Sequence, residues 1–160
     1  MVKTLILGYG NPDREDDGVA WHILAELARR LGRPVPASPD DGFDPTGQSP
    51  DLMFALQLTP EMAEQVAGFE RICFVDAHTG RVAEDLHVET LKASFQASPL
   101  THHLTAESLL ALAQSLYQSA PNSILVSVRG YRFGFERSLS PQTNALAAQA
   151  SEYIWNWLET

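Results

Sequence analysis

The stretch Leu5-Ile6-Leu7-Gly8-Tyr9-Gly10-Asn11-Pro12-Asp13-Arg14-Glu15-Asp16-Asp17-Gly18-Val19 constrains this chain more than any other. A buried-type apolar strand runs into a glycine turn, and a helix follows at once. In parallel α/β folds such a turn usually lets the backbone close on a phosphate at the helix N-terminus. Here it carries four acids and one base, so it would repel a pyrophosphate. Carboxylates at the top of a strand suit a cation better. Gly8-x-Gly10 also lacks the third glycine of a dinucleotide fingerprint, because position 13 is Asp.

The rest of the chain alternates strand and helix signals. Val2 to Leu7 is the first strand. Asp17 to Leu31 has helical spacing, with Val19, Ala20, Ile23, Leu24, Leu27, Ala28 and Leu31 on one face. Acids open that helix and Arg29 and Arg30 close it, as the macrodipole favours. Asp51 to Leu56 is a second strand. Thr59-Pro60-Glu61 starts a helix, with Thr as cap and Pro in the first turn. Arg71 to Val75 is apolar like a central parallel strand, and Asp76 is expected to end it. Asp85 to Leu91 is a weaker strand signal. Thr105 to Tyr117 is a helix with Leu109, Leu110, Leu112, Ala113 and Leu116 inward. Ser123 to Val128 is a further strand, and Ser140-Pro141 caps a last helix to about Leu158.

This pattern predicts the α/β class: a three-layer α/β/α arrangement around a mostly parallel, twisted sheet of about five strands. The 160 residues, 44% of them hydrophobic, are expected to form one domain spanning 1–160. Segment 34–50 is rich in Pro, Asp, Gly and Ser and reads as a mobile surface loop.

Charge and cysteine usage narrow the function. A net charge of −9 argues against nucleic acid and anionic membranes as partners. The one cysteine, Cys73, lies in an apolar strand, so no disulfide framework is possible and a thiol nucleophile is disfavoured. Met1 to Leu7 is too short for a signal peptide, and no apolar run approaches the roughly 20 residues of a membrane span. A cytoplasmic location is the expectation.

Ligands of open parallel sheets bind beyond the carboxyl ends of the strands. Three features fall there: Glu15, Asp16 and Asp17 after the first strand; Asp76 with His78 after the third; and His102-His103 before the Thr105 helix. Two carboxylates and one imidazole from three loops would form an O,O,N cation site with open positions. Each feature also has a plain structural use. Asp16 or Asp17 would cap the first helix, Asp76 would form a turn, and His102-His103 would be surface residues. His22 and His87 read as packing or surface residues, and His78 as a possible partner of Asp76.

With those residues in view, the chain resembles the hydrogenase maturation proteases, endopeptidases that trim the C-terminal extension of the [NiFe]-hydrogenase large subunit. The resemblance rests on four features in order: strand–Gly8-x-Gly10-Asn11 with Asp16-Asp17; Phe74-Val75-Asp76-Ala77; Thr101-His102-His103 before Leu109-Leu110; and Phe133-Gly134 with Ser138-Leu139-Ser140-Pro141. It implies that Asp17, Asp76 and His102, with His103 as the alternative, engage a metal. That metal would be nickel, carried in by the substrate, with no organic cofactor needed. The implied partner is the large-subunit precursor. Asp17 and Asp76 are also the implied catalytic groups, with a polarising metal or a carboxylate base activating the water. The segment Gln57-Leu58-Thr59-Pro60-Glu61 departs from a glycine- and threonine-containing stretch common in that family. No further cofactor is implied.

Overall fold

The computed structural model describes residues 2–95 and 103–160. Five strands form one sheet: β1 (Thr4–Tyr9), β2 (Asp51–Ala55), β3 (Arg71–His78), β4 (Leu86–Leu91) and β5 (Asn122–Arg129), in the order β2-β1-β3-β5-β4. The first four positions of that order pair in parallel, and only β4 runs antiparallel, against β5. The helices are α1 (Val19–Arg30), α2 (Ala63–Ala67), α3 (Ala106–Tyr117) and α4 (Pro141–Leu158). The expected α/β/α layering with a mostly parallel sheet is what forms.

Alternation along the central strands builds the two cores. Side chains of successive strand residues point to opposite faces. Ile6, Cys73 and Val75 therefore pack under α1 and α4 with Ile23, Leu24, Leu27, Ala150 and Ile154. Leu5, Leu7, Ile72 and Phe74 pack under α2 and α3 with Val66, Leu109, Leu110 and Ala113. Strands covered on both faces carry continuous apolar runs for this reason. The two long helices that follow the loops are capped as their residues dictate. Thr105 accepts from Ser108 N, and Ser140 accepts from Thr143 N with Pro141 in the first turn.

Several boundaries differ from the sequence expectation. The first strand continues through Gly8 and Tyr9, which pair with Phe54 and Ala55 of β2. Helix α1 begins at Val19, after a 3-10 turn over Glu15–Gly18. Asp76 does not end β3. The strand runs on to His78 because Asp76, Ala77 and His78 pair with Ser127, Val128 and Arg129 of β5. Leu116, expected inward, is 60% exposed in the last turn of α3.

Segment 34–50 has no helix or strand, yet it contributes to the core. Phe43 is buried in the α1/α4 face, with its ring 6.3 Å from that of Trp21. Its carbonyl accepts from Phe54 N at 3.1 Å, and the Asp51 carboxylate accepts from Thr46 N and Gly47 N at 2.8 and 3.2 Å. The composition of the segment conceals this buried ring. Phe43→Ala is expected to cost about 3 kcal/mol in urea unfolding. A change of about 0.5 kcal/mol or less, typical of surface positions, would mean that the ring carries no packing.

Candidate functional site

The turn after β1 is fixed by backbone geometry before any chemistry. Gly10 has φ +145°, and a Cβ there would strike the carbonyl oxygen of Asp17. Only glycine fits such a position. The chain then descends into the 3-10 turn, and across Asp13 and the turn's three acids the carboxylates are sorted into different tasks.

Asp16 is fully buried and structural. Its carboxylate accepts from Tyr131 N (2.8 Å), Arg132 N (2.9 Å), Ser140 N (2.7 Å) and the Ser140 hydroxyl (2.7 Å). The Thr143 hydroxyl, 2.8 Å away, divides its proton between Asp16 and the Arg129 carbonyl. Burial pushes this carboxyl up. The hydrogen bonds from Ser140, Tyr131 and Arg132 pull harder, and its pKa falls from 3.8 to about 2. Gly130 is needed alongside, since a Cβ there would lie 2.9 Å from Asp16 Cβ.

Glu15 is structural as well. It accepts from Gly134 N at 3.0 Å and pairs with Arg132 at 3.2 Å. These contacts hold it at φ +47°, a left-handed conformation that costs about 1–2 kcal/mol in a non-glycine residue. Asp13 pairs with Arg137 at 2.6 Å. Asp17 alone faces the cavity described next. Its Oδ2 accepts from Asn11 N at 2.7 Å, which fixes its rotamer.

Asp76 reaches the same cavity from β3. The sheet register sets Asp76 beside Ser127 of β5, and Ser127 beside His87 of β4. Tyr9, one residue past the Gly8–Val75 pair, stands on the other side. A polar row thus crosses four strands at the carboxyl end of the sheet. The Tyr9 hydroxyl donates to Asp76 Oδ2 at 2.9 Å, and the Ser127 hydroxyl to Oδ1 at 2.6 Å. Burial raises the Asp76 pKa above the ordinary carboxyl value, against the opposing pull of Ser127, Tyr9 and the Arg81 and His78 charges. The Tyr9 phenol is pushed well up, first by burial and then by the Asp76 charge. It therefore stays a donor.

The cavity has a volume of about 460 Å³. Asp17, Asp76, Tyr9 and Ser127 line it, with His87, Glu89, Arg81, Glu107 and His103 around them. Arg81 Nη2 stands 4.0 Å from Asp76. His87 lies between Glu84 (3.4 Å) and Glu89 (3.0 Å), so the residue expected to be packing or surface belongs to the cavity wall. His102 lies outside the described residues. His78 makes no hydrogen bond to Asp76 and bears on it only through charge: its Nδ1 accepts from Gly80 N at 3.0 Å, and its Nε2 lies 3.3 Å from the Asp85 carbonyl. His22 sits on α1 against Trp21, away from this cavity. Burial drives the Cys73 thiol far up, leaving it neutral and without nucleophilic character.

Among the described residues, no group of three His, Cys, Asp or Glu side chains is arranged to hold a metal ion. Asp17 and Asp76 are the two acids of the expected trio that meet in the cavity. A larger cavity of about 980 Å³ opens among Thr4, Arg71, Asn122 and Trp157 at the amino ends of the strands, with Glu70 as its one acid among the described residues. Tyr9, Ser127, His87 and Glu89 went unrecognised in the sequence because their meeting depends on sheet register. The one available signal was the odd polar residue at the end of an apolar strand.

No protein-family model matches the chain, and no curated protein matches it. Solved structures do. HycI, a [NiFe] hydrogenase maturation protease from Thermococcus kodakarensis KOD1, aligns over 99% of this chain and 94% of its own, with 18% identity and a TM-score of 0.66. The hydrogenase maturating endopeptidase HybD from E. coli aligns over 98% and 92%, with 17% identity and a TM-score of 0.68. A hydrogenase 2 maturation peptidase from Thaumarchaeota archaeon SCGC_AB-539-E09 aligns over 98% and 97%, with 18% identity and a TM-score of 0.61. The chain has the fold of the [NiFe] hydrogenase maturation proteases.

Removing Asp16 should unfasten the site loop. Asp16→Ala is expected to cost about 3 kcal/mol in urea unfolding, because several donors lose a buried charged acceptor. The lowered pKa also sets the pH dependence. Its contribution, about 2 kcal/mol, is complete above the unfolded value of 3.8 and is lost as pH falls through about 2. Acid titration of wild type and Asp16→Ala should show the two stabilities converging over that interval. Parallel curves would remove Asp16 as the anchor.

Proposed function

We propose that this protein is an endopeptidase that removes the C-terminal extension of a [NiFe]-hydrogenase large-subunit precursor after nickel insertion. One observation carries the reading. Of the acids after β1, Asp17 alone faces a cavity, and that cavity is the one Asp76 enters from the neighbouring strand. The shared fold with maturation proteases supports the reaction class.

In this reading nickel arrives as part of the substrate. Asp17, Asp76 and His102 engage it, with His103, which lines the cavity, as the alternative imidazole. Carboxylates are harder ligands than nickel prefers, so the site would hold free metal weakly and respond to a metal that brings ligands of its own. Each Asp76 oxygen accepts one hydroxyl hydrogen bond and keeps a lone pair for a cation or a water proton. Asp17 and Asp76 are the candidates for accepting that proton as the water attacks the scissile carbonyl. The proposed setting is the cytoplasm, consistent with a single buried thiol. No helix among the described residues is long and apolar enough to cross a membrane.

The test is incubation with the purified large-subunit precursor from the same cell, nickel-loaded or nickel-free, followed by mass spectrometry. Loss of a C-terminal peptide from the nickel-loaded form alone is expected. Binding of the precursor with no change in its length would instead point to a metal escort of the same fold.

Asp17→Asn and Asp76→Asn should each lower processing by at least about 100-fold while keeping the wild-type urea midpoint. Normal processing by both variants would remove them from the site. His102→Ala should cost more activity than His103→Ala, and the opposite order would move the imidazole by one residue.

A further inference from the structure

Phe135 is 87% exposed, more than any other exposed large hydrophobic side chain among the described residues. It does not hang on a loose loop. The backbone beneath it is tied to the turn after β1 at three places. Asp16 holds Tyr131 and Arg132, Glu15 holds Gly134, and the Glu136 carbonyl accepts from Glu15 N at 2.8 Å. Arg14 adds a fourth tie. It donates to the Phe133 carbonyl at 2.6 Å through Nη2 and to the Gly134 carbonyl at 3.1 Å through Nε. The same guanidinium lies 4.8 Å from the centre of the Phe135 ring. The ring is thus steadied by a cation on one side and open to solvent.

An exposed aromatic ring on a fixed backbone loses little freedom when a partner covers it, which makes it an efficient anchor. Two more large apolar residues follow backbone that is tied to the turn after β1. Leu56, 62% exposed, follows β2, where Gly10 N bonds the Ala55 carbonyl at 3.1 Å. Tyr131, 38% exposed, follows β5. All three adjoin the carboxyl end of the sheet, on either side of the turn that presents Asp17.

The surroundings indicate what covers them. Of the acids near Phe135, Asp13 and Asp40 are paired with Arg137 and Glu15 with Arg132, while the Arg14 guanidinium lies against the ring. A cavity of about 460 Å³ admits a few residues around a scissile bond. The remainder of a protein substrate must rest around it, and an exposed aromatic ring held beside the turn that presents Asp17 fits the surface of a folded body.

We propose that Phe135, supported by Leu56 and Tyr131, is the docking anchor for the folded body of the precursor, whose C-terminal extension then enters the cavity beside Asp17. This rests on the protease reading for the partner's identity. Affinity and cleavage are therefore measured separately. The purified nickel-loaded large-subunit precursor, fluorescently labelled, is titrated with wild type, Phe135→Ser, Phe135→Leu and Asp76→Asn. Phe135→Ser should raise Kd about tenfold or more, and Phe135→Leu should recover most of the loss. Asp76→Asn serves as a background that does not cleave, and adding Phe135→Ser to it should raise Kd by the same factor as in wild type. In processing assays Phe135→Ser should raise KM and leave kcat unchanged, with an unaltered urea midpoint. Equal Kd for wild type and Phe135→Ser, or no binding by wild type, overturns the docking anchor. Binding that depends on Phe135 without any cleavage by wild type sustains the anchor and overturns the protease reading.

Discussion

The buried carboxylate of Asp16 is the interaction on which the rest of the site depends. A charge removed from water must be met by donors aimed at it. Asp16 collects its donors from Tyr131, Arg132, Ser140 and Thr143, more than a hundred residues away in sequence. It therefore joins the turn after β1 to the loop after β5 and to the first turn of α4. Ser140 serves twice, as cap for α4 and as donor to Asp16. Loss of either partner would leave the other's polar groups buried and unpaired, so the two loops stand or fall together.

This join explains how neighbouring acids come to differ. Asp16 points inward and is consumed by structure. Asp17, one residue on, is turned toward the carboxyl end of the sheet and held by Asn11 N. Glu15 is spent on Gly134 and Arg132. A strongly acidic turn thus presents one carboxylate to the cavity. Asp76 is prepared in another way. It sits within a strand between two hydroxyl donors, so sheet register, and no loop, decides where its oxygens stand. A site built on rigid strands and an over-determined turn is preorganised for one geometry.

How much of this was legible in the sequence depends on the range of the interaction. Apolar periodicity disclosed the layers, the parallel sheet and the buried face of α1, because those patterns reflect local geometry. The reading of Asp76 as the residue that stops its strand after Val75 failed because an acid within a buried strand is stable only with donors opposite it. Ser127 and Tyr9 supply them from other strands. His87 was passed over for the same reason: nothing near it in sequence tells which face of β4 meets the cavity. Phe43 escaped notice because one buried ring in a polar, proline-rich segment leaves no periodic trace.

By itself the sequence determined the α/β class, the glycine turn at Gly10 and the presence of acids at the carboxyl ends of β1 and β3. It did so because strand alternation, helix capping and glycine's access to positive φ act within a few residues. Only the tertiary structure decided which acid faces the cavity and which ties the loops together. Asp16 and Asp17 are identical side chains in adjacent positions, and their difference lies in what each finally faces. Asp16 meets donors brought in by the loop after β5. Asp17 meets the open cavity. Hydrogen-bond partners that lie far apart along the chain exist only after the sheet has set its register.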